Sequence, residues 1–121
     1  NFINVFDYVA TRTDYNGNAG CVGFCWGGAM SNNLAVKVPA LKAAVAFYGR
    51  QPAAEDVSKI KAAVQLHYEE ALNKNSIKCD RYMCEGANHA FHNDTAPARY
   101  NEAAAKLAWQ RTIDFFKKYV K

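Results

Sequence analysis

The 121-residue sequence has few of the features that would assign it to a special class. It contains 3 Pro, 7 Gly and 4 Cys. Four cysteines at this length do not make a disulfide scaffold, and the simplest reading is a reduced protein with three small buried thiols and one functional one. No apolar run approaches the roughly 20 residues that span a bilayer, and no signal peptide is legible. There are no internal repeats and no low-complexity tract. The formal net charge of +4 is mild, and its basic residues are dispersed apart from Lys117, Lys118 and Lys121. Nucleic acid is therefore not expected as the main partner. The chain does not begin with Met, so it reads as a trimmed or truncated product. A cytoplasmic, non-membrane protein is the expectation.

What is present is a core. Half the residues are hydrophobic and 13% are aromatic, which argues against disorder. One domain over residues 1–121 is expected, burying roughly two thirds of its unfolded surface.

The stretch Ala19–Gly28 organises the chain. Cys21–Phe24 reads as a short strand, followed by a turn on Cys25 and a helix entered through Gly27 and Gly28. Gly23-Phe24-Cys25-Trp26-Gly27 fits Gly-x-nucleophile-x-Gly. In that turn a strained residue projects its side chain above a sheet, and flanking glycines are expected because a Cβ there would clash. The Trp26 amide would face an oxyanion, and the helix N-terminus would favour a thiolate. A cysteine attacks as its thiolate when an imidazole lies in reach. His89 follows a later strand and is the candidate base. The nucleophile precedes the histidine in the chain, an order found in α/β-hydrolases and also in papain-like enzymes, so the elbow decides between them.

Other segments have recognisable patterns. Asn1–Thr13 has helix-like apolar spacing, and residues 14–18 have turn chemistry. Trp26–Lys37 reads as the elbow helix, ended by Pro39. Leu41–Tyr48, Ile60–Tyr68 and Ile77–Cys84 are continuous apolar runs of the kind parallel strands show. Arg50–Lys59 is a loop or short helical turn, Glu69–Asn75 a short helix, and Thr95–Arg99 a connector. Asn101–Val120 is an amphipathic helix with Ala104, Leu107, Ala108, Arg111, Phe115 and Tyr119 on its spacing, and Trp109 and Phe116 at the margins. Alternating strands and helices imply an α/β sheet of about four parallel strands flanked by helices.

Gly23-Phe24-Cys25-Trp26-Gly27-Gly28 resembles the G-x-C-x-G-G elbow of the dienelactone hydrolase family, a branch of the α/β-hydrolases. Gly86–Asp94 resembles that family's histidine loop, and Tyr100–Phe116 its last helix. The resemblance implies the C-terminal half of that fold, a truncated α/β-hydrolase core with the elbow strand followed across the sheet by the next three in chain order. It implies cleavage of a small carboxylic ester or lactone through Cys25 and His89, with no cofactor and no metal. The family places an aspartate after the strand ending at Tyr68, in a segment of about 20 residues that is missing here, since Tyr68 runs straight into Glu69. Glu69 is a candidate stand-in, or simply an acid at a helix N-terminus. The family's substrate arginine has no match, Asn93 standing near its place. Arg50 and Arg99 are the nearest cations.

Tyr48 and Phe91 are candidate substrate contacts. His67 reads as a packed histidine bonded to backbone, His92 as a surface loop residue, and Asp94 as too local to orient His89. Zinc binding by Cys79, Cys84, His89 and His92 has no standard spacing. The elbow strand is left as an open sheet edge, so a homodimer over it, or a completing fragment, is expected. Two other functions fit the same residues. One is an inactive hydrolase-derived interaction module. The other is a thiol-redox sensor using Cys25, for which Cys21, facing inward, would be a poor resolving partner.

Overall fold

The computed structural model of the protein describes residues 1–68, 80–83 and 87–121. The elements in chain order are α1 (Phe2–Ala10), β1 (Gly20–Phe24), α2 (Trp26–Lys37), β2 (Ala43–Phe47), a 3₁₀ helix (Ala54–Lys59), β3 (Ala63–Tyr68), β4 (Asp80–Met83) and α3 (Glu102–Tyr119). The four strands form one sheet in the order β1-β2-β3-β4, every pairing parallel. Strand order therefore equals chain order, as expected. β3 starts later than the apolar run because Ile60 caps the 3₁₀ helix through its N–H to the Val57 carbonyl, 3.1 Å.

β2 lies between two strands and under helices on both faces, so all five of its residues are buried. Its alternation divides the core. Ala43, Val45 and Phe47 face Phe91, Ala105, Ala108 and Phe115 beneath α3. Ala44 and Ala46 face Ala35, Val38, Leu41, Val64 and Leu66 on the α2 side. The small residues on β2 and the buried Gly28, Ser31, Asn32 and Ala35 on α2 let that helix approach the sheet closely. Ile3 and Phe6 of α1 pack on the same side, whereas Phe2, Val5 and Tyr8 are exposed.

α3 starts at an Asn101 cap whose side-chain oxygen accepts from the Ala104 amide at 3.0 Å. Its buried face is Ala105, Ala108, Thr112 and Phe115. This corrects the expected face by one residue, because Leu107 is 52% exposed. Large rings on the sheet already fill the space beneath α3, so the small residues, not Leu107, turn inward.

Candidate active site

Cys25 sits where β1 ends and α2 begins. Its backbone has φ 55° and ψ −119°. Among the described residues only Cys25, Tyr48 (φ 39°) and Ala90 (φ 64°) are non-glycine residues at positive φ. Such positions cost on the order of 1–3 kcal/mol each and persist where the surroundings hold them. Cys25 and Tyr48 line one cleft, and Ala90 follows His89, which lines it too. The Cys25 amide donates to the Phe47 carbonyl at 3.0 Å, and the Tyr48 amide donates to the His67 carbonyl at 2.7 Å. Each sharp turn is thus held by the neighbouring strand.

The glycines around the turn have distinct roles. A Cβ on Gly23 would lie 1.9 Å from the Gly27 carbonyl oxygen, so β1 and α2 can meet only if that residue is glycine. A Cβ on Gly28 would come within 2.8 Å of the Phe47 carbonyl oxygen, and one on Gly49 within 2.4 Å of the Gly28 carbonyl carbon. Gly27 has open space around its would-be Cβ. The expected clash at Gly27 is therefore absent, since the helix surface there faces away from the sheet. The crowded set is Gly23, Gly28 and Gly49. Gly49 reads in the sequence only as a strand stop.

The Cys25 Sγ lies 3.1 Å from His89 Nε2. Both side chains are exposed at a cleft of about 710 Å³ lined also by Trp26, Ala29, Met30, Asn33, Tyr48 and Arg50. An imidazole nitrogen at that distance can take the thiol proton and return it to a leaving group. Tyr48 lies beside the pair, its ring 5.0 Å from that of His89 and roughly edge-on. Burial, with a smaller push from a Cys25 thiolate, raises its hydroxyl to about 12, so it stays a neutral donor at ordinary pH. Trp26 is the first residue of α2, and the amides of a helix's first turn have no intrahelical acceptor. Its indole is 68% exposed, with the Phe2 ring 5.8 Å away.

Several expected placements differ. Phe91 is fully buried in the core beneath α3 and does not line the cleft. An apolar ring between Phe47 and Tyr48 (6.4 and 5.7 Å) is better satisfied there than at a wet mouth. His92 lies in a loop as expected and is half-buried, with its ring against Phe24, Phe47 and Trp109 at 5.2, 5.5 and 5.7 Å. His67 is buried as expected, but its ring partners are side chains, Gln65 and Thr112. Arg50 lines the cleft and Arg99 does not. Cys21 lies against α2, its Sγ 3.1 Å from Ser31 Oγ, and burial raises its thiol above the ordinary value. Glu69, Cys79 and Cys84, with the helix expected over 69–75, lie outside the described residues. Among the described residues, no group of three or more His, Cys, Asp or Glu is arranged to hold a metal, and no helix is long and apolar enough to cross a membrane.

The model of the dienelactone hydrolase family matches residues 2–71 and 53–120 in two overlapping segments. The chain belongs to the dienelactone hydrolase family. Curated relatives include a candidate carboxymethylenebutenolidase of Salmonella typhimurium, 30% identical over 142 aligned positions that take in 93% of this chain and 52% of the relative. A candidate carboxymethylenebutenolidase of Saccharolobus solfataricus is 33% identical, with 83% of this chain and 44% of the relative aligned. The chain thus spans about half the length of the curated relatives it matches. The Salmonella alignment, at 142 positions, is longer than this 121-residue chain, so that relative has residues in the span with no counterpart here. Among solved structures, a candidate dienelactone hydrolase of Klebsiella pneumoniae superposes with a TM-score of 0.83 at 25% identity, covering 98% of this chain and 59% of that one. A dienelactone hydrolase-like promiscuous phosphotriesterase from metagenomic libraries has a TM-score of 0.76 at 21% identity, over 95% and 58% of the two chains, and shares the dienelactone hydrolase fold.

Proposed function

We propose that this protein is a hydrolase of carboxylic esters or lactones that works through a Cys25–His89 pair and an acyl-thioester. The observation that supports this most strongly is the 3.1 Å contact between Cys25 Sγ and His89 Nε2 at a strained elbow over an open cleft. In this reading His89 takes the Cys25 proton and Sγ attacks the ester carbon, forming a C–S bond and an oxyanion. The Trp26 amide donates to that oxygen, and the α2 N-terminus favours its charge. Collapse breaks the C–O bond, and His89 protonates the departing alkoxide. His89 then takes a proton from water, which attacks the thioester, releasing the acid and restoring the thiol. Tyr48 contacts the substrate with its neutral hydroxyl. A homodimer over the open Gly20–Phe24 edge of β1 is the accompanying assembly, checked by light scattering.

The test is a time course with 4-nitrophenyl acetate near the enzyme concentration, using the natural sequence, Cys25→Ala and His89→Ala. A burst near one equivalent followed by turnover, both lost in Cys25→Ala, is the expected result. A burst without turnover would leave a nucleophile that cannot deacylate. Equal rates for all three proteins would rule out the hydrolase and favour an interaction module. Rapid peroxide oxidation of Cys25 without ester cleavage would favour a redox sensor.

A further inference from the structure

A single row of rings crosses the whole sheet one residue short of the cleft. Phe24, Phe47, His67 and Tyr82 are lateral neighbours in the strand register. Their rings stack in that order, with centroids 4.6, 4.4 and 5.5 Å apart and interplanar angles of 26°, 19° and 22°. Helix α3 closes both ends. Trp109 lies 6.5 Å from Phe24 at 27°, and the Arg111 guanidinium carbon sits 4.1 Å over the Tyr82 ring.

The third ring is a histidine for an identifiable reason. His67 is fully buried. Its Nε2 lies 3.1 Å from Gln65 Oε1 and 3.5 Å from Thr112 Oγ1. The Gln65 amide nitrogen donates to the Arg111 carbonyl at 3.3 Å, and the Thr112 hydroxyl donates to the Ala108 carbonyl at 2.9 Å. Both groups are therefore acceptors toward His67, so Nε2 carries a proton, and burial, which lowers the ring to about 3, leaves Nδ1 without one. Its Nδ1 has no hydrogen-bond partner among the described residues. Phenylalanine here would stack but leave Gln65 Oε1 without its donor. Glutamine would donate but could not stack.

This row is joined to the reactive pair by two backbone hydrogen bonds. The residues that follow its first two members, Cys25 and Tyr48, are the two strained turns of the cleft. Their amides donate to the carbonyls of Phe47 and His67. The His67 ring bears on Phe47 through the stack, and the His67 backbone carbonyl accepts from the Tyr48 amide. Tyr48 in turn lies edge-on to His89.

We propose that His67 is a positioning residue for the Cys25–His89 pair, setting the height at which thiol and imidazole meet. The inference rests on the reading of that pair as reactive. A misplacement of about 1 Å can cost up to about 10²-fold in rate, and Cys25 is reached here through one intervening ring. A loss of about tenfold is therefore expected when the His67 ring is removed.

The test measures iodoacetamide alkylation of Cys25 against pH, read on the Cys25 peptide by mass spectrometry, beside kcat and KM for 4-nitrophenyl acetate. The proteins are the natural sequence, His67→Leu, His67→Phe, Thr112→Val and His89→Ala. In His67→Leu, kcat should fall about tenfold with KM within about twofold, and the alkylation profile should move toward that of His89→Ala. His67→Phe and Thr112→Val should fall between. A residue that only stabilises the core would lower the melting temperature but leave the pH profile of the folded thiol in place. A folded His67→Leu with the natural profile and kcat overturns the inference, and if that variant does not fold, His67→Phe decides by the same criterion. Natural protein whose alkylation does not depend on His89 overturns the reactive pair itself, and this inference with it.

Discussion

One added methyl group distinguishes the two glycines that flank Cys25 at two positions' distance. A Cβ on Gly23 would stand 1.9 Å from the Gly27 carbonyl oxygen and 2.2 Å from its carbon. These are backbone atoms, so no rotamer relieves the overlap, and β1 and α2 would have to separate at the point where Cys25 joins them. Overpacking a core of mobile side chains costs about 1–3 kcal/mol. Against fixed backbone, Gly23→Ala should reach at least about 3 kcal/mol, out of a total stability on the order of 5–15 kcal/mol. Gly27 has nothing within 4 Å of its would-be Cβ and lies in the first turn of α2. There alanine should be neutral or gain up to about 0.5–1 kcal/mol through reduced backbone entropy of the unfolded chain. For a domain of this size 1 kcal/mol corresponds to a melting shift of roughly 3–6 °C. Urea unfolding followed by tryptophan fluorescence, with thermal melts by circular dichroism, would measure both variants. Gly27→Ala should melt at or slightly above the natural temperature, and Gly23→Ala about 10 °C or more below it. If Gly27→Ala destabilises the protein as much as Gly23→Ala does, the assignment of the crowding to Gly23 is refuted.

Asn101→Ala removes the side-chain acceptor of the Ala104 amide and should cost about 1 kcal/mol, seen as a lower urea midpoint with an unchanged slope. His67 is held at about 3, chiefly by burial and further by Arg111 and His92. The folded protein therefore binds fewer protons than the unfolded chain between roughly pH 3 and 6.5, and stability falls as pH drops through that window. His67→Phe should flatten the stability–pH slope there by up to about 1.4 kcal/mol per pH unit, measured by urea unfolding from pH 4 to 7. Tyr48 has the opposite sign. The folded phenol keeps its proton to about 12, so its contribution is complete below about pH 10 and is lost as pH rises toward 12. A spectrophotometric titration should show a late phenol that Tyr48→Phe deletes.

The sheet and the elbow were legible in the sequence because each has a local signature. Continuous apolar runs of five or six residues mark strands covered on both faces, and Gly-x-Cys-x-Gly-Gly marks a crossing of strand and helix. The core beneath α3 was less legible. Leu107 has the right spacing and the larger side chain, yet Ala105 and Thr112 face inward, because Phe47, His67 and Phe91 already occupy that volume from below. No pattern along one helix reports the size of the residues it will meet. Phe91 and His92 show the same limit, since an aromatic residue in a histidine loop can face substrate or core, and only the positions of Phe24, Phe47 and Trp109 decide. Gly49 was not recognisable as a third tight contact, since its partner, Gly28, lies 21 positions earlier in the chain.

The identity of strand order and chain order has a consequence for how the molecule is made. Among the described residues each strand after β1 pairs with the one synthesised just before it, so no described strand waits for a later one to be inserted beside it. The connection from β1 to β2 spans one helix and that from β2 to β3 one 3₁₀ helix, which keeps the entropic cost of each closure low. The elbow turn, with β1, α2 and β2, can assemble before Tyr82 has left the ribosome. His89 comes after that, and α3, which packs across β2 and β3, closes the core last. The thiol of Cys25 thus emerges well before the imidazole that lies beside it in the finished protein. During that interval the thiol stands without this neighbour, and the pair forms once the segment carrying His89 is in place.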